Sequence, residues 1–505
     1  MTTRSVRPKL LHTLPSFFRR LNSAAPSSIS AVAAFDTAAP DPKQDPITRT
    51  DSCDRAINVD DSDKIFSTVS TTKLIRSSMI LHMVAVESMV DFGMWVLNSK
   101  LMGSPLAKRI VFGAIERSFY DHFCAGKDLM EVGGTVKELW DSGLGAMLDY
   151  GLEHATDNED CDRNLEHFIR TAESVNMHPS SSVSFIVLKI TAICPPSLLK
   201  RVSDLLRWEY KDNSLHLPWK LKTLPVFADS SPLYHTPRRP APLTREEESD
   251  LNSAHERLTK LCIKCIEANV PLLIDAEDTS IQPAIDYLSY SAATEYRKND
   301  GDPLIFNTVQ AYLRDSKERL IVAKRSADEM GVSLGFKLVR GAYLSSERQL
   351  AASLEVRSPI HDTIQQTHAC YNNCAAFMLE EICNGSGSVV LATHNVESGK
   401  LAASKAMDLG LDKDSHNLQF GQLYGMADTL SFGLRNAGFR VSKYLPFGPV
   451  EQIMPYLLRR AEENRGLLST SSLDRLLMRY ESSFDHLSLF ESHWKSINGM
   501  ILESH

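Results

Sequence analysis

The chain lacks any apolar run of the roughly 18–20 residues that a membrane-crossing helix needs. It lacks an excess of positive charge: a net charge of -8 over 505 residues argues against a nucleic-acid binder. Its nine cysteines are scattered and odd in number. Cys262 and Cys265 fall in a helical pattern with no second pair, so no metal site is expected and reduced thiols are the simplest reading. No HExxH, paired-carboxylate or Ser-His-Asp pattern is present, which leaves nothing built for hydrolysis. A glycine-rich phosphate turn is also missing. Gly385-Ser-Gly387 precedes a strand and has no third glycine. What remains, 43% hydrophobic and 23% charged residues, is an ordinary globular composition. The length suits about three domains, or one α/β barrel with additions.

No acidic residue occurs before Asp36, whereas Arg4, Arg7, Lys9, Arg19 and Arg20 alternate with Leu10, Leu11, Leu14, Phe17 and Phe18. This is the composition of an amphipathic transit peptide over residues 1–35, and its arginines favour the mitochondrion over the plastid. Residues 36–62, polar and acidic, read as a linker. Residues 63–140 carry helical periodicity, in Ile75, Met79, Met83, Val86 and Val90 and again in Val132, Val136, Leu139 and Trp140. They read as a helical arm.

From about residue 145 short apolar strands alternate with helical stretches. The strands are Ala146–Tyr150, Phe185–Thr191, Leu272–Glu277, Ile305–Gln310, Phe336–Arg340, Val389–His394, Leu418–Leu423 and Val441–Leu445. Eight strand–helix units predict a (β/α)8 barrel over 145–465, with an open doubly wound sheet as the alternative. Residues 209–250 interrupt the alternation with six prolines and the run Arg245–Asp250. They read as a long loop too polar to be core. A helical tail is expected over 466–505. The arm and this tail, with Leu476, Leu477, Leu487, Leu489 and Phe490, could touch a membrane or pack on the barrel.

Tyr444–Asn464 organises the rest. It reads as a strand ending at Pro446, a turn at Phe447-Gly448-Pro449 and a helix. On that helix Tyr456, Arg459, Arg460 and Glu463 share one face, and Leu457, Leu458 and Ala461 supply another. Paired arginines suit a small carboxylate, because each fork can bind two oxygens. In a barrel, catalytic groups come from strand C-termini. Those ends hold Lys189, Asp275, Glu277, Gln310, Tyr312, Lys337, Arg340, Tyr343, His394, Asn395, Gln422, Leu423 and Tyr444. The set is cationic and hydrogen-bonding, fit for anions and a polar planar ring.

Six motifs in order then resemble the proline dehydrogenase family in its mitochondrial, monofunctional form. They are Leu272–Glu277, Val309–Tyr312, Lys337–Tyr343, Ala392–Asn395, Gln422–Met426 and Tyr456–Asn464. The resemblance implies a distorted (β/α)8 barrel with its last helix over the mouth. It implies bound FAD, and oxidation of L-proline to Δ1-pyrroline-5-carboxylate in proline catabolism. By resemblance, Arg459, Arg460 and Lys189 clamp the proline carboxylate, and Asp275 holds the geometry of these cations. Tyr444, Tyr456, Leu423 and Tyr343 resemble the wall around the ring. Gln310, Lys337, Val339, Arg340, Gly341, Thr393, His394 and Asn395 match flavin-binding positions, and Glu463 resembles the carboxylate that steadies flavin and arginines. Relatives differ between Lys and Arg at positions 337 and 340, a swap that keeps the cation and changes its reach.

The chemistry agrees with the resemblance. Clamping the carboxylate leaves the ring one edge to present to a flavin. The resemblance implies a quinone acceptor and peripheral contact with the inner mitochondrial membrane on its matrix side. No nicotinamide fold is evident. Three alternatives stay open: a hydroxyproline dehydrogenase, a barrel lyase forming a Schiff base at Lys189, and an inactive binding scaffold.

Overall fold

The computed structural model describes residues 57–59, 65–67, 69–298 and 301–464. The expected transit peptide, most of the expected linker and the expected tail fall outside them. Eight parallel strands close into a barrel in sequence order. They are β1 (Gly145–Tyr150), β2 (Val183–Leu188), β3 (Leu272–Ile274), β4 (Ile305–Gln310), β5 (Gly335–Val339), β6 (Ser388–Ala392), β7 (Leu418–Leu423) and β8 (Val441–Phe447). β8 pairs back onto β1 from Gly145 opposite Ser442 to Tyr150 opposite Phe447, so no edge remains.

Each strand is buried on both faces, which is why it reads as a nearly continuous apolar run. Alternation sorts the side chains. Met147, Phe185, Val187, Leu273, Phe306 and Val390 fill the barrel interior. Phe185 meets Phe306 edge-on at 4.8 Å. Gly335 is required beside them, because a Cβ there would lie 2.3 Å from the Phe306 ring. Below this layer Gln419 donates to Ser184, and Ser184 and Ser442 share a hydrogen bond of 2.7 Å.

Four strands stop earlier than their sequence runs, β5 by a single residue at Val339. After β2, Lys189 leads into a 3-10 turn, Ile190–Ala192. After β3, the Asp275 amide still reaches the Leu188 carbonyl at 2.9 Å, and the chain then leaves the ladder. After β6, Asn395 caps the next helix by accepting from the Ser398 amide. Thr393 and His394 therefore lie in a turn. β8 runs one residue beyond Pro446.

The arm is helical, as expected: α1 (Thr71–Ala85), α2 (Glu87–Asn98), α3 (Pro105–Ile115) and α4 (Leu129–Asp141). Its buried face differs from the expected one in α1. Leu74, Ser78, Leu81 and Val84 are buried, whereas Ile75 and Met79 are 43% and 56% exposed. Both stripes fit a helical period, and only packing chooses between them. The linker also ends in core: Ile57 and Val59 are buried, close to Gly433.

The barrel helices follow as α5 (Asn158–Ser174), α6 (Pro196–Lys211), α7 (Arg245–Glu267), α8 (Gln282–Glu295), α9 (Ser316–Glu329), α10 (Leu344–Ser353), α11 (Ile364–Cys383), α12 (Val396–Asp408), α13 (Asp428–Asn436) and α14 (Val450–Asn464). Residues 209–250 depart from the reading as a polar loop. The run from Arg245 opens α7, fixed by a capping box of Thr244 and Glu247. Between α6 and α7 the chain buries Leu217, Leu224, Val226 and Leu243. It is also pinned by Ser231 Oγ donating to Asp315 at 2.8 Å. The segment is a strap that supplies core.

Candidate active site

Interior positions two residues beyond the apolar layer reach the barrel mouth. Val187 is followed by Lys189, Leu273 by Asp275, and Ser442 by Tyr444. Asp275 is the hub. Its Oδ2 lies 3.0 Å from Lys189 Nζ and its Oδ1 lies 2.5 Å from Lys337 Nζ. The Tyr444 hydroxyl donates to Oδ2 at 2.8 Å. Both ammonium groups also approach the Tyr444 ring, at 5.9 and 5.3 Å from its centroid.

Burial opposes ionisation of Asp275, but Lys337 and Lys189 outweigh it and hold the carboxyl well below its usual range. Burial alone would likewise lower Lys189. Asp149, 3.6 Å away, and Asp275 instead hold it above the ordinary lysine value. Lys189 is therefore a fixed cation, the opposite of the depressed lysine that a Schiff-base enzyme requires.

Helix α14 brings the paired arginines to the same mouth. Arg459 binds Glu153 through both Nη atoms, at 2.8 and 3.1 Å. Burial would raise Glu153, and Arg459 and then Lys189 bring it below the usual carboxylate range. The two cations thus act on one carboxylate. Arg460 is buried and lies over the Tyr456 ring, 5.0 Å from its centroid. Glu277 is buried too, accepting from the Thr191 amide and hydroxyl. Burial, with Glu153 as neighbour, pushes its carboxyl up to about 8.

The ends of β4 to β7 form the other side. Gln310 donates to the Glu277 carbonyl at 2.8 Å. Arg340 donates to His368, Thr393 and Ser398 and stacks on Tyr371. Gly341 has φ +130°, and a Cβ there would lie 2.4 Å from the Tyr312 ring. His394 accepts from the Leu423 amide at 3.1 Å. Burial, with Lys443, Arg460 and Arg340 nearby, brings it down to about 3, so it is neutral. Val339 ends β5, Leu423 packs against the interior cluster, and Tyr343 precedes α10 half-buried. The side chain of Glu463 lies outside the described residues.

Lys337 shares Asp275 with Lys189, a contact that the sequence did not signal. Two site residues went unread in the sequence. Asp149 was a charge inside an apolar strand, and Glu153 follows the end of β1, where strand-end logic applies equally.

A profile of the family described as proline dehydrogenase matches residues 132–472. The chain belongs to the proline dehydrogenase family. It is 51% identical over 493 residues to proline dehydrogenase 1, mitochondrial, of Arabidopsis thaliana, covering 95% of this chain and 98% of that one. It is 31% identical over 429 residues to hydroxyproline dehydrogenase of Rattus norvegicus, covering 81% and 91%. Among solved structures it resembles proline utilization A from Bdellovibrio bacteriovorus, inactivated by N-propargylglycine. The TM-score is 0.55 at 20% identity, over 82% of this chain and 40% of that one. That likeness concerns the barrel fold. Family membership makes the chain an oxidoreductase of proline catabolism.

Proposed function

We propose that this is a mitochondrial flavoenzyme that oxidises L-proline to Δ1-pyrroline-5-carboxylate and delivers the electrons to a quinone. The convergence of cations at the mouth carries the reading. Lys189 and Lys337 meet on Asp275, and Arg459, with Arg460 beside it on α14, meets Glu153, the carboxylate that Lys189 also acts on. Such a cluster suits a small carboxylate. Arg459, Arg460 and Lys189 anchor it, and each such contact contributes roughly 1.5–3 kcal/mol.

Tyr444, Tyr456, Leu423 and Tyr343 enclose the ring. With the carboxylate fixed, the ring carbon beside the amine is the one presented to the acceptor. The amine must lose its extra proton before hydride leaves. Lys189, held as a cation, is not the group that takes it.

The donor set beyond β4, β5 and β6 suits FAD. Arg340 offers a guanidinium, Asn395 opens a helix N-terminus, and Gly341 keeps the backbone free of a side chain. Gln310, Val339, Thr393, His394 and Glu463 complete the proposed contacts. Lys337, held by Asp275, is proposed to reach the flavin from the same side of the barrel. When bound, the flavin supplies the hydride acceptor. A Schiff-base lyase is disfavoured by the protonated Lys189. Proline is favoured over hydroxyproline by 51% and 50% identity to two relatives named for proline, against 31% to a hydroxyproline dehydrogenase.

The arm supports contact with the matrix face of the inner membrane. Helix α3 buries none of its residues. Phe92 and Trp95, stacked at 5.9 Å, and Leu106 and Ile110 are all more than 60% exposed. Lys100, Lys108 and Arg109 accompany them. Aromatic and basic residues together suit an anionic lipid surface. Among the described residues no single helix is long and apolar enough to cross it.

The test is turnover of L-proline with a short-chain quinone, with pyrroline-carboxylate detected and hydroxyproline run in parallel. Absence of product, or a higher kcat/KM for hydroxyproline, contradicts the reading.

A further inference from the structure

The eight described cysteines are free, and six are buried. Cys370 and Cys374 differ from the others in their setting. They stand one turn apart on α11, so their side chains share a face. Cys374 is buried, whereas Cys370 is half-buried between the exposed residues Gln366, Ala369 and Asn373. Ser316, at the start of α9, places its hydroxyl 3.3 Å from Cys370 Sγ. His361 approaches from the chain before α11. It is held there by its amide bond to the Tyr312 carbonyl and by the Leu313–Ile360 bridge. One accessible sulfur thus has a hydroxyl, an imidazole and a second thiol around it.

We propose that Cys370 and Cys374 form a peroxide-reactive thiol pair, Cys370 being the attacking sulfur and Cys374 the resolving one. The Cys374 thiol hydrogen-bonds the Cys370 sulfur and lowers its pKa, aided by Ser316 and His361, and burial opposes this less strongly. The Cys370 thiolate attacks one oxygen of hydrogen peroxide. An S–O bond forms, the O–O bond breaks, and the departing hydroxide takes up a proton to become water. Cys374, giving up its proton, then attacks the sulfenic sulfur. The S–S bond forms and the S–OH bond breaks, releasing a second water. Both thiols are oxidised and one peroxide is reduced.

The bridge must deform the helix. Side chains one turn apart have Cβ atoms about 5–6 Å apart, and a disulfide needs roughly 3.5–4.5 Å. The turn that has to tighten carries Tyr371, and His368 lies one turn before it. These residues stack on and hydrogen-bond Arg340. Oxidation at the outer helix therefore reaches Arg340, and this last link rests on the flavin reading above. A strained bridge is also easily reduced, so the modification reverses with a dithiol.

The test uses the full-length flavin-loaded protein and peptide mass spectrometry. Brief iodoacetamide labelling below neutral pH is expected to modify Cys370 about tenfold faster than the exposed Cys383. Hydrogen peroxide is expected to remove two hydrogens from the peptide carrying both cysteines, and dithiothreitol to restore them. Cys374→Ser is expected to stop at the sulfenic acid, trapped by dimedone on Cys370. Cys370→Ser, which leaves basal activity unchanged, is expected to give neither product. Labelling of Cys370 no faster than Cys383, or dimedone capture at Cys383 and not at Cys370, overturns the proposal. Bridge formation in a protein that binds no flavin would support the thiol pair and count against the flavin reading alone.

Discussion

Arg459 and Glu153 are joined end to end: both Nη atoms of the guanidinium meet both oxygens of the carboxylate, at 2.8 and 3.1 Å. Glu153 comes from the loop after β1 and Arg459 from α14, so the contact ties the last helix to the first strand of the barrel. The pair can position the arginine for substrate or compete with substrate for it. A guanidinium has more than one bidentate edge, which favours positioning. Glu153→Gln is therefore expected to raise KM for proline about tenfold, near 1.4 kcal/mol, with kcat changed less. Steady-state kinetics decides, and a fall in KM would mean competition.

The arginines themselves make a sharper case. Arg459→Met and Arg460→Met are each expected to raise KM for proline by about tenfold or more while the protein stays yellow. A wild-type KM in either variant removes that residue from the clamp.

Asp275 holds two buried lysines in place. Asp275→Asn leaves them without their shared anion, and a broken buried pair costs about 3–5 kcal/mol. The carboxyl is depressed in the folded state, so its contribution exists above the unfolded carboxyl value and fades as pH falls. Denaturant midpoints at neutral and acidic pH should show wild type approaching the variant in acid. A constant gap would contradict this.

Glu277 has the opposite sign. Its carboxyl rises from 4.5 when unfolded to about 8 when folded. Its contribution is complete below 4.5 and is lost as pH climbs towards 8. Glu277→Gln removes that loss, so the Tm of the variant relative to wild type should improve across this window. Parallel Tm profiles would show that Glu277 is ionised throughout.

The barrel was legible because period-two alternation and burial on both faces act within each strand. Asp275 and Lys189 were legible for the same reason, standing two residues beyond apolar interior positions. What the sequence left undetermined depends on contacts between distant segments. The partner of Lys337, Asp275, follows a different strand, and nothing near Lys337 in the sequence marks it. Helix α1 has two stripes of the right period, and the barrel selects Leu74 over Ile75. The strap before α7 carries six prolines and reads as loop, yet its leucines enter core because α8 and α9 lie beneath it.

The most direct measurement is the visible absorption spectrum of the purified protein, recorded before and after L-proline is added without oxygen. The account predicts oxidised-flavin bands that bleach on addition of proline and return with a quinone. A colourless protein, or a flavin that stays oxidised in proline, would contradict it.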